Sequence, residues 1–441
     1  MSQHSTKRRT ARQTAVAALD TGREASYSRR MDLRHADRRK RTLAFILAGG
    51  KGQRLEPLTV YTPKPAVTFG GIYRIVDFTL SNCLNSDIYH IYALVQYKSA
   101  DLIRHLRDGW QNYFSTARGE YLEVIPPQYT ATDQCYAGTA DAIYQNLYLI
   151  EQENPDHVVI LAGDHIYKMD YRKMIAMHRD RGADLTVGSV EVPLKDGPQF
   201  GVIQADADGR VAGFREKPAD PAPIPGNPGC CYASMGIYVF KPEVLAEVLR
   251  ADAADAASSH DFGKVIIARM VAGRRVFTYS FVDENGKTAK YWRDAGTLDA
   301  YYSANMDLIG VDPILNLYDS GWPIRAAAVQ APPPKTVFRD EGRTGSALDS
   351  MISPGCIVSG GVVVHSILAP YACVHSWSRV EDSILFERVD VGRRARVRRA
   401  IVAEGVRIPP DATIGYDEQR DRERFLVTEG GVVVVSKDAR I

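Results

Sequence analysis

Residues 43–55 read Leu-Ala-Phe-Ile-Leu-Ala-Gly-Gly-Lys-Gly-Gln-Arg-Leu. The apolar run 43–48 reads as a strand, and the glycines that follow end it in a tight turn. Such a turn lets backbone N–H groups approach a phosphate, because no Cβ intervenes. Both familiar versions of the motif fail here: a Walker loop needs Gly-Lys-Ser/Thr after four spacer residues, and the dinucleotide fingerprint needs Gly where Leu55 stands. Hydride transfer and P-loop hydrolysis lose ground accordingly. A purely structural turn competes with a polyphosphate cradle, and Arg54 directly behind Gly49, Gly50 and Gly52 favours the cradle.

Working outward, similar apolar runs recur at 91–95, 158–162, 185–190 and 237–240, separated by amphipathic stretches. They predict a predominantly parallel α/β sheet. Ile143, Leu147 and Ile150 predict a covering helix over 140–151. Pro313, Pro323 and Pro332 to Pro334 exclude long helices from 311–345, which reads as a linker. Beyond it Ile357, Val374, Val391 and Ile408 stand 17 apart, as do Val363, Val380, Val397 and Ile414, while Ile367, Ile384 and Ile401 keep the same period. This repeat predicts a parallel β-helix of about four coils. A hairpin array would instead need alternating apolar residues and turn dipeptides.

Bulk properties narrow the function classes. The 441 residues suffice for two or three domains, and a net charge of +2 supplies no overall field for nucleic acid or an anionic membrane. Basic charge is local: residues 1–41 hold twelve Lys or Arg against four acids and read as a solvated extension, with a targeting or effector-contacting arm as the alternative. No apolar run approaches a membrane span, and none resembles a secretory signal. Six cysteines without a CxxC pair suit a reducing compartment, so the cytoplasm is expected. Adjacent Cys230 and Cys231 read as small buried residues, and no zinc is predicted.

Further motifs add chemistry. Lys64 lies between Pro63 and Pro65, which fix a cation for phosphate contact without reorganisation. Asp164 follows the strand 158–162, where open α/β sheets bind ligands, and Asp294 lies in Tyr-Trp-Arg-Asp-Ala-Gly-Thr, 291–297. One or two carboxylates plus substrate phosphates suffice for Mg2+. In Glu216-Lys217 the carboxylate can accept sugar hydroxyls and the ammonium hold a phosphate, although an isolated pair of this kind is more often a surface ion pair.

Together with Phe-Gly-Gly, Gly-Thr-Ala-Asp-Ala, Ala-Gly-Asp-His-Ile-Tyr, Glu-Lys-Pro and Ala-Ser-Met-Gly-Ile-Tyr-Val-Phe, these motifs resemble bacterial glucose-1-phosphate adenylyltransferase over about residues 43–415. The resemblance implies a nucleotidyltransferase domain over 42–310, followed after the linker by a left-handed β-helix with a C-terminal tail over 346–441. It implies transfer of AMP from ATP to α-D-glucose 1-phosphate, giving ADP-glucose for glycogen synthesis, in a cytoplasmic homotetramer open to sugar-phosphate effectors. Glucose 1-phosphate is expected at Tyr136, Gly201, Glu216, Lys217, Ser234 and Tyr238, with Asp261, Phe262 and Trp292 lining the sugar pocket. Gly49, Gly50, Gly52, Arg54 and Gln96 are expected at ATP, Lys64 at the polyphosphate, and Asp164 with Asp294 at Mg2+.

Three departures from the family pattern cluster. Tyr61-Thr62 stands where most members carry basic residues, Cys135 replaces a usual Trp, and Val265 a usual Asp. They imply altered allostery with catalysis retained. The arginines at 393, 394, 396, 398 and 399 read as a solvated face or as an effector site. A regulatory, weakly catalytic paralogue and a pyrophosphorylase using another nucleoside triphosphate are the competing functions. An acyltransferase lacks support, because His365 and His375 read as surface residues.

Overall fold

Four strands run parallel in one half of the main sheet, and their burial follows from sequence: β1 (Thr42–Leu47), β2 (His90–Leu94), β3 (Tyr121–Ile125) at the edge and β4 (His157–Ala162), in the order β4-β1-β2-β3. Phe45, Ile46, Val159, Ile160 and Leu161 are fully buried, as strands covered on both faces must be. The structure is a computed structural model that describes residues 42–128, 135–340 and 343–441. The basic stretch 1–41 therefore lies outside the described residues.

The sheet continues past β4 with strands of mixed direction: β5 (Leu185–Pro193), β6 (Gly201–Ala205), β7 (Val211–Glu216), β8 (Cys230–Phe240) and β9 (Val276–Ser280). β8 runs antiparallel to β4, β5 and β6, while β9 is parallel to β5. Thus the parallel sheet expected from the apolar runs is the β4-β1-β2-β3 half, and 185–190 and 237–240 extend it by antiparallel pairing. A run of apolar residues records burial and not direction, which explains the difference.

The helix expected over 140–151 is divided into α1 (Thr139–Tyr144) and α2 (Leu147–Glu153). Asn146 makes the break, since its fully buried amide donates to the Ala142 carbonyl at 2.8 Å and competes with the helical ladder. Residues 311–345 are no free linker. Trp322 donates its indole N–H to Asn82 Oδ1 at 2.9 Å, Leu315 and Ile324 are buried, and Lys335–Val337 already pairs with Ile357–Ser359.

Three parallel columns of short strands build the β-helix. Val363, Val380, Val397 and Ile414 are in register and buried, as their spacing requires. Ile357 is a correction: it pairs with Cys373 and is 41% exposed, while Val358 takes the inward place opposite Val374. The first coil is one residue shorter than the 17-residue coils after it. Ile367, Ile384 and Ile401 are buried for a different reason than the other series. Leu368, Leu385 and Val402 fill the coil interior, whereas the isoleucines join a cluster with Phe69, Phe78, Tyr291, Tyr301 and Tyr302. In this way one outer face of the β-helix becomes part of the core of the preceding domain.

That shared core makes the described unit cooperative. Ile384→Ala is expected to cost about 2–5 kcal/mol in thermal or denaturant unfolding, with one transition retained. Separate melting of the β-helix would contradict it.

Candidate active site

A cleft of about 880 Å3 opens at the carboxyl ends of β1, β2 and β4, where the loops of parallel strands gather. The turn after β1 forms one wall. Gly52 has φ 65, and a Cβ there would stand 3.1 Å from the Thr59 methyl and 3.2 Å from Lys64 Cβ. At Gly49 a Cβ would meet that of Gln96 at 3.0 Å, so the first two strand loops pack against each other at a distance only glycine accepts. Thr59 Oγ1 donates to the Gly52 carbonyl at 2.8 Å and holds the turn closed.

The cleft floor is a three-residue charge cluster. Lys64 sits on a single 3-10 turn between two prolines, and its side chain is 7% exposed. Its ammonium donates to Asp164 Oδ2 at 3.0 Å, to Asp294 Oδ1 at 2.7 Å and to the Asp294 carbonyl at 2.6 Å. Those are all three of its donors. Arg54 lies above, 68% exposed, with Nη2 4.0 Å from Asp294 Oδ2. Lys64 and Arg54 therefore divide the expected grip: Arg54 is free to meet a polyphosphate, while Lys64 is spent on the chain's own acceptors.

Electrostatics follow from this geometry. Burial pulls the Lys64 ammonium down, but Asp164 and Asp294 outweigh it and leave its pKa raised. For Asp164, burial opposes ionisation, and the Lys64 ammonium with His165 overcomes it and holds the carboxyl at about 2. His165 Nε2 lies 3.7 Å from an oxygen of each carboxylate. Lys64 occupies one oxygen of each Asp, so Asp164 Oδ1 and Asp294 Oδ2 keep lone pairs for a divalent cation, and the donor set of hard oxygens fits one.

The opposite wall suits a polyol. β8 carries a bulge between Ser234 and Tyr238 at Gly236, which turns both side chains to the cleft. Glu216 ends β7 opposite Gly201; burial, and then Asp261, raise its pKa. Asp261 accepts from Lys264 N at 3.0 Å and from Thr139 Oγ1 at 3.3 Å. Tyr136 Oη accepts from Asn146 Nδ2 at 3.2 Å, so the residue that breaks the helix also positions a cleft tyrosine. Trp292 packs edge-on against His165 and Phe200. Its Nε1 and His165 Nδ1 are buried without a hydrogen-bond partner, the condition a bound ligand or water relieves.

The structure thus brings Gly49, Gly50, Gly52, Arg54, Lys64, Gln96, Tyr136, Asp164, Gly201, Glu216, Ser234, Tyr238, Asp261, Trp292 and Asp294 to one cleft. Two expected residues stand apart. Lys217 has φ 47, is exposed and lies outside the lining, because its N–H pairs with the Phe200 carbonyl. Phe262 is buried behind Tyr238, with ring centroids 5.4 Å apart. His165 and Thr139 stand inside the motifs Ala-Gly-Asp-His-Ile-Tyr and Gly-Thr-Ala-Asp-Ala, yet His165 reads from sequence as a packing neighbour and Thr139 is assigned no role; Asn146 carries no local signal.

A Gly-rich turn, a pair of carboxylates at the strand ends and an appended hexapeptide β-helix define a class. Residues 43–310 match the family described as Nucleotidyl transferase, and residues 332–435 the one described as GlmU-like, C-terminal hexapeptide. A protein of Rhodopirellula baltica named glucose-1-phosphate adenylyltransferase is 53% identical over 411 residues, 92% of each chain. Those of the same name from Koribacter versatilis and Methylococcus capsulatus are each 50% identical, over 90% of this chain and 95% and 94% of theirs. The chain belongs to the glucose-1-phosphate adenylyltransferase family.

Acid stability tests the charge cluster. Held at about 2 against an ordinary 3.8, Asp164 stabilises the fold above about pH 4, and that contribution disappears as pH falls toward 2. Denaturant midpoints of the protein and of Asp164→Asn are expected to differ most at pH 5 to 7, to approach each other below about pH 4 and to converge only as pH falls to about 2. A constant difference across that window would exclude the Lys64 pairing as its source.

Proposed function

We propose that this chain transfers the adenylyl group of ATP to α-D-glucose 1-phosphate, releasing pyrophosphate and forming ADP-glucose for glycogen synthesis. The observation that carries the reading is the pair Asp164 and Asp294, held by one buried ammonium at the foot of a Gly-rich turn, with Arg54 free above them. A phosphate oxygen of the sugar attacks the α-phosphorus in line, and the bond from that phosphorus to the bridging oxygen breaks. The attacking group is already an oxyanion, so no general base is required. Accordingly, no nucleophile and base need converge in the cleft.

Gly49, Gly50 and Gly52 offer backbone donors to the triphosphate, and Arg54 offsets charge on the departing pyrophosphate. Asp164 and Asp294 hold Mg2+, which would neutralise the reacting phosphates. Lys64 positions both carboxylates. Glu216, Ser234, Tyr136, Tyr238 and Asp261 receive the sugar phosphate, with Gly201 and Trp292 shaping the pocket and Gln96 facing the nucleotide. Lys217 would have to swing in from solvent, and Phe262 acts through Tyr238.

The same reading makes the enzyme a cytoplasmic homotetramer with weakened control by glycolytic effectors. Support for the weakened control alone comes from a second cavity of about 340 Å3 between Tyr61, Thr62 and the β-helix tail. Its four cations, Arg74, Arg104, Arg388 and Lys437, face four acids, Asp101, Glu387, Glu404 and Asp438. Arg104 pairs with Asp101, Lys437 with Glu404 and Arg388 with Glu387, while the Tyr61 hydroxyl donates to Asp438 at 3.0 Å. An anion entering there meets three cations already paired with acids, and Arg74, which donates to the Ala66 carbonyl. The arginines of the β-helix are engaged likewise, Arg394 with Asp411 and Arg396 and Arg398 against Tyr416.

Pyrophosphate release from glucose 1-phosphate is the test, with ATP, UTP or dTTP and with or without EDTA. Metal-dependent turnover confined to ATP is expected, falling about 10²- to 10³-fold in Asp164→Asn. Equal turnover with UTP would overturn the substrate assignment, and no turnover with any nucleotide would leave a regulatory paralogue. Fructose 6-phosphate, fructose 1,6-bisphosphate and pyruvate are expected to change the rate little, and strong activation would contradict the weakened control.

A further inference from the structure

Cys373, His375 and Asp390 come together on the outer surface of the β-helix, outside the cleft. Cys373 and Asp390 are register partners on adjacent coils, and their neighbours Val374 and Val391 point inward and are fully buried. The alternation of a strand therefore sends Cys373, Asp390 and, two residues after the cysteine, His375 to the outer face. His375 Nε2 lies 2.8 Å from Asp390 Oδ1 and 3.7 Å from Cys373 Sγ, and the three donor atoms all fall within 4.8 Å of one another.

A nucleophilic triad would need the thiol and the carboxylate on opposite nitrogens of the ring, so that one nitrogen takes a proton while the other is oriented. Here both converge on Nε2, which is the arrangement of ligands around a common centre. Bonds of about 2.3 Å to sulfur and about 2.0–2.1 Å to nitrogen and oxygen set tetrahedral donor separations of about 3.3–3.6 Å. The 3.7 Å between His375 and Cys373 is already close to this, the 2.8 Å between His375 and Asp390 must open by about half an ångström, and Cys373 and Asp390, within 4.8 Å, have to close by about 1 Å at most. Side-chain exposures of 40% for His375 and 44% for Asp390 leave a path for entry. Arg407, the next residue of the column, forms no ion pair with Asp390 among the described residues.

We propose that Cys373, His375 and Asp390 bind a zinc-class divalent cation, with water completing the tetrahedron. One thiolate and one carboxylate balance its charge, and imidazole suits the same borderline-soft metals. The ion joins two successive coils and acts as a staple on the β-helix. This departs from the expectation of no zinc, which was drawn from Cys230 and Cys231.

Cobalt reports thiolate ligation directly. Titrating the EDTA-stripped full chain with Co2+ is expected to give a sulfur-to-metal charge-transfer band saturating at about one ion per chain and displaced by Zn2+. Cys373→Ser abolishes the band, and Asp390→Asn and His375→Gln weaken binding about tenfold or more. Zn2+ raises the unfolding midpoint of the unsubstituted protein and not that of Cys373→Ser. All three variants keep adenylyl transfer, which verifies folding. Absence of the band, or its persistence in Cys373→Ser through another thiol such as the exposed Cys135, overturns the proposal.

Discussion

One buried ammonium organises this molecule. Lys64 joins the turn after β1, the end of β4 through Asp164, and the distant Asp294. Two carboxylates this close would repel each other and push one of the pair to protonate. Lys64 between them offsets that repulsion, and two carboxylate oxygens remain turned to the cleft. The site is thus assembled before a ligand arrives, which is the condition for electrostatic catalysis without reorganisation.

The support behind Lys64 reaches into the β-helix. Leu55, Val67, Phe69 and Ala295 flank the cluster and share one apolar core with Tyr301 and Tyr302, on which Ile367, Ile384 and Ile401 pack. Tyr302 also donates to the Asp382 carbonyl at 2.6 Å, which ties the catalytic side to a β-helix turn. The β-helix is therefore structural support for the cleft as well as a surface of its own. Its coils carry two kinds of apolar residue, one filling the interior and the other building the contact.

Much of this was legible in the sequence because it is local or periodic. The run 43–55 contains its strand, turn and cation within thirteen residues, and the 17-residue period needs no knowledge of packing. What the sequence hid is long-range or conformational. Lys64 meets partners 100 and 230 positions away, so a reader of the chain sees a phosphate-binding lysine where the fold uses its donors internally. Asn146 breaks a helix through a buried amide that periodicity does not register. Ile357 fits the numerical series but faces outward, since one short coil shifts the register by one residue and a one-residue shift changes faces. Strand direction beyond β4 was invisible for the same reason that burial was plain.

The central claim is that Lys64, Asp164 and Asp294 act as one unit. A double-mutant cycle on adenylyl transfer, comparing Lys64→Met, Asp294→Asn and the pair at saturating substrates, tests it most directly. The account predicts that the double variant is hardly slower than the worse single variant, because either change dissolves the same arrangement. Losses that multiply, each residue contributing independently, would contradict it.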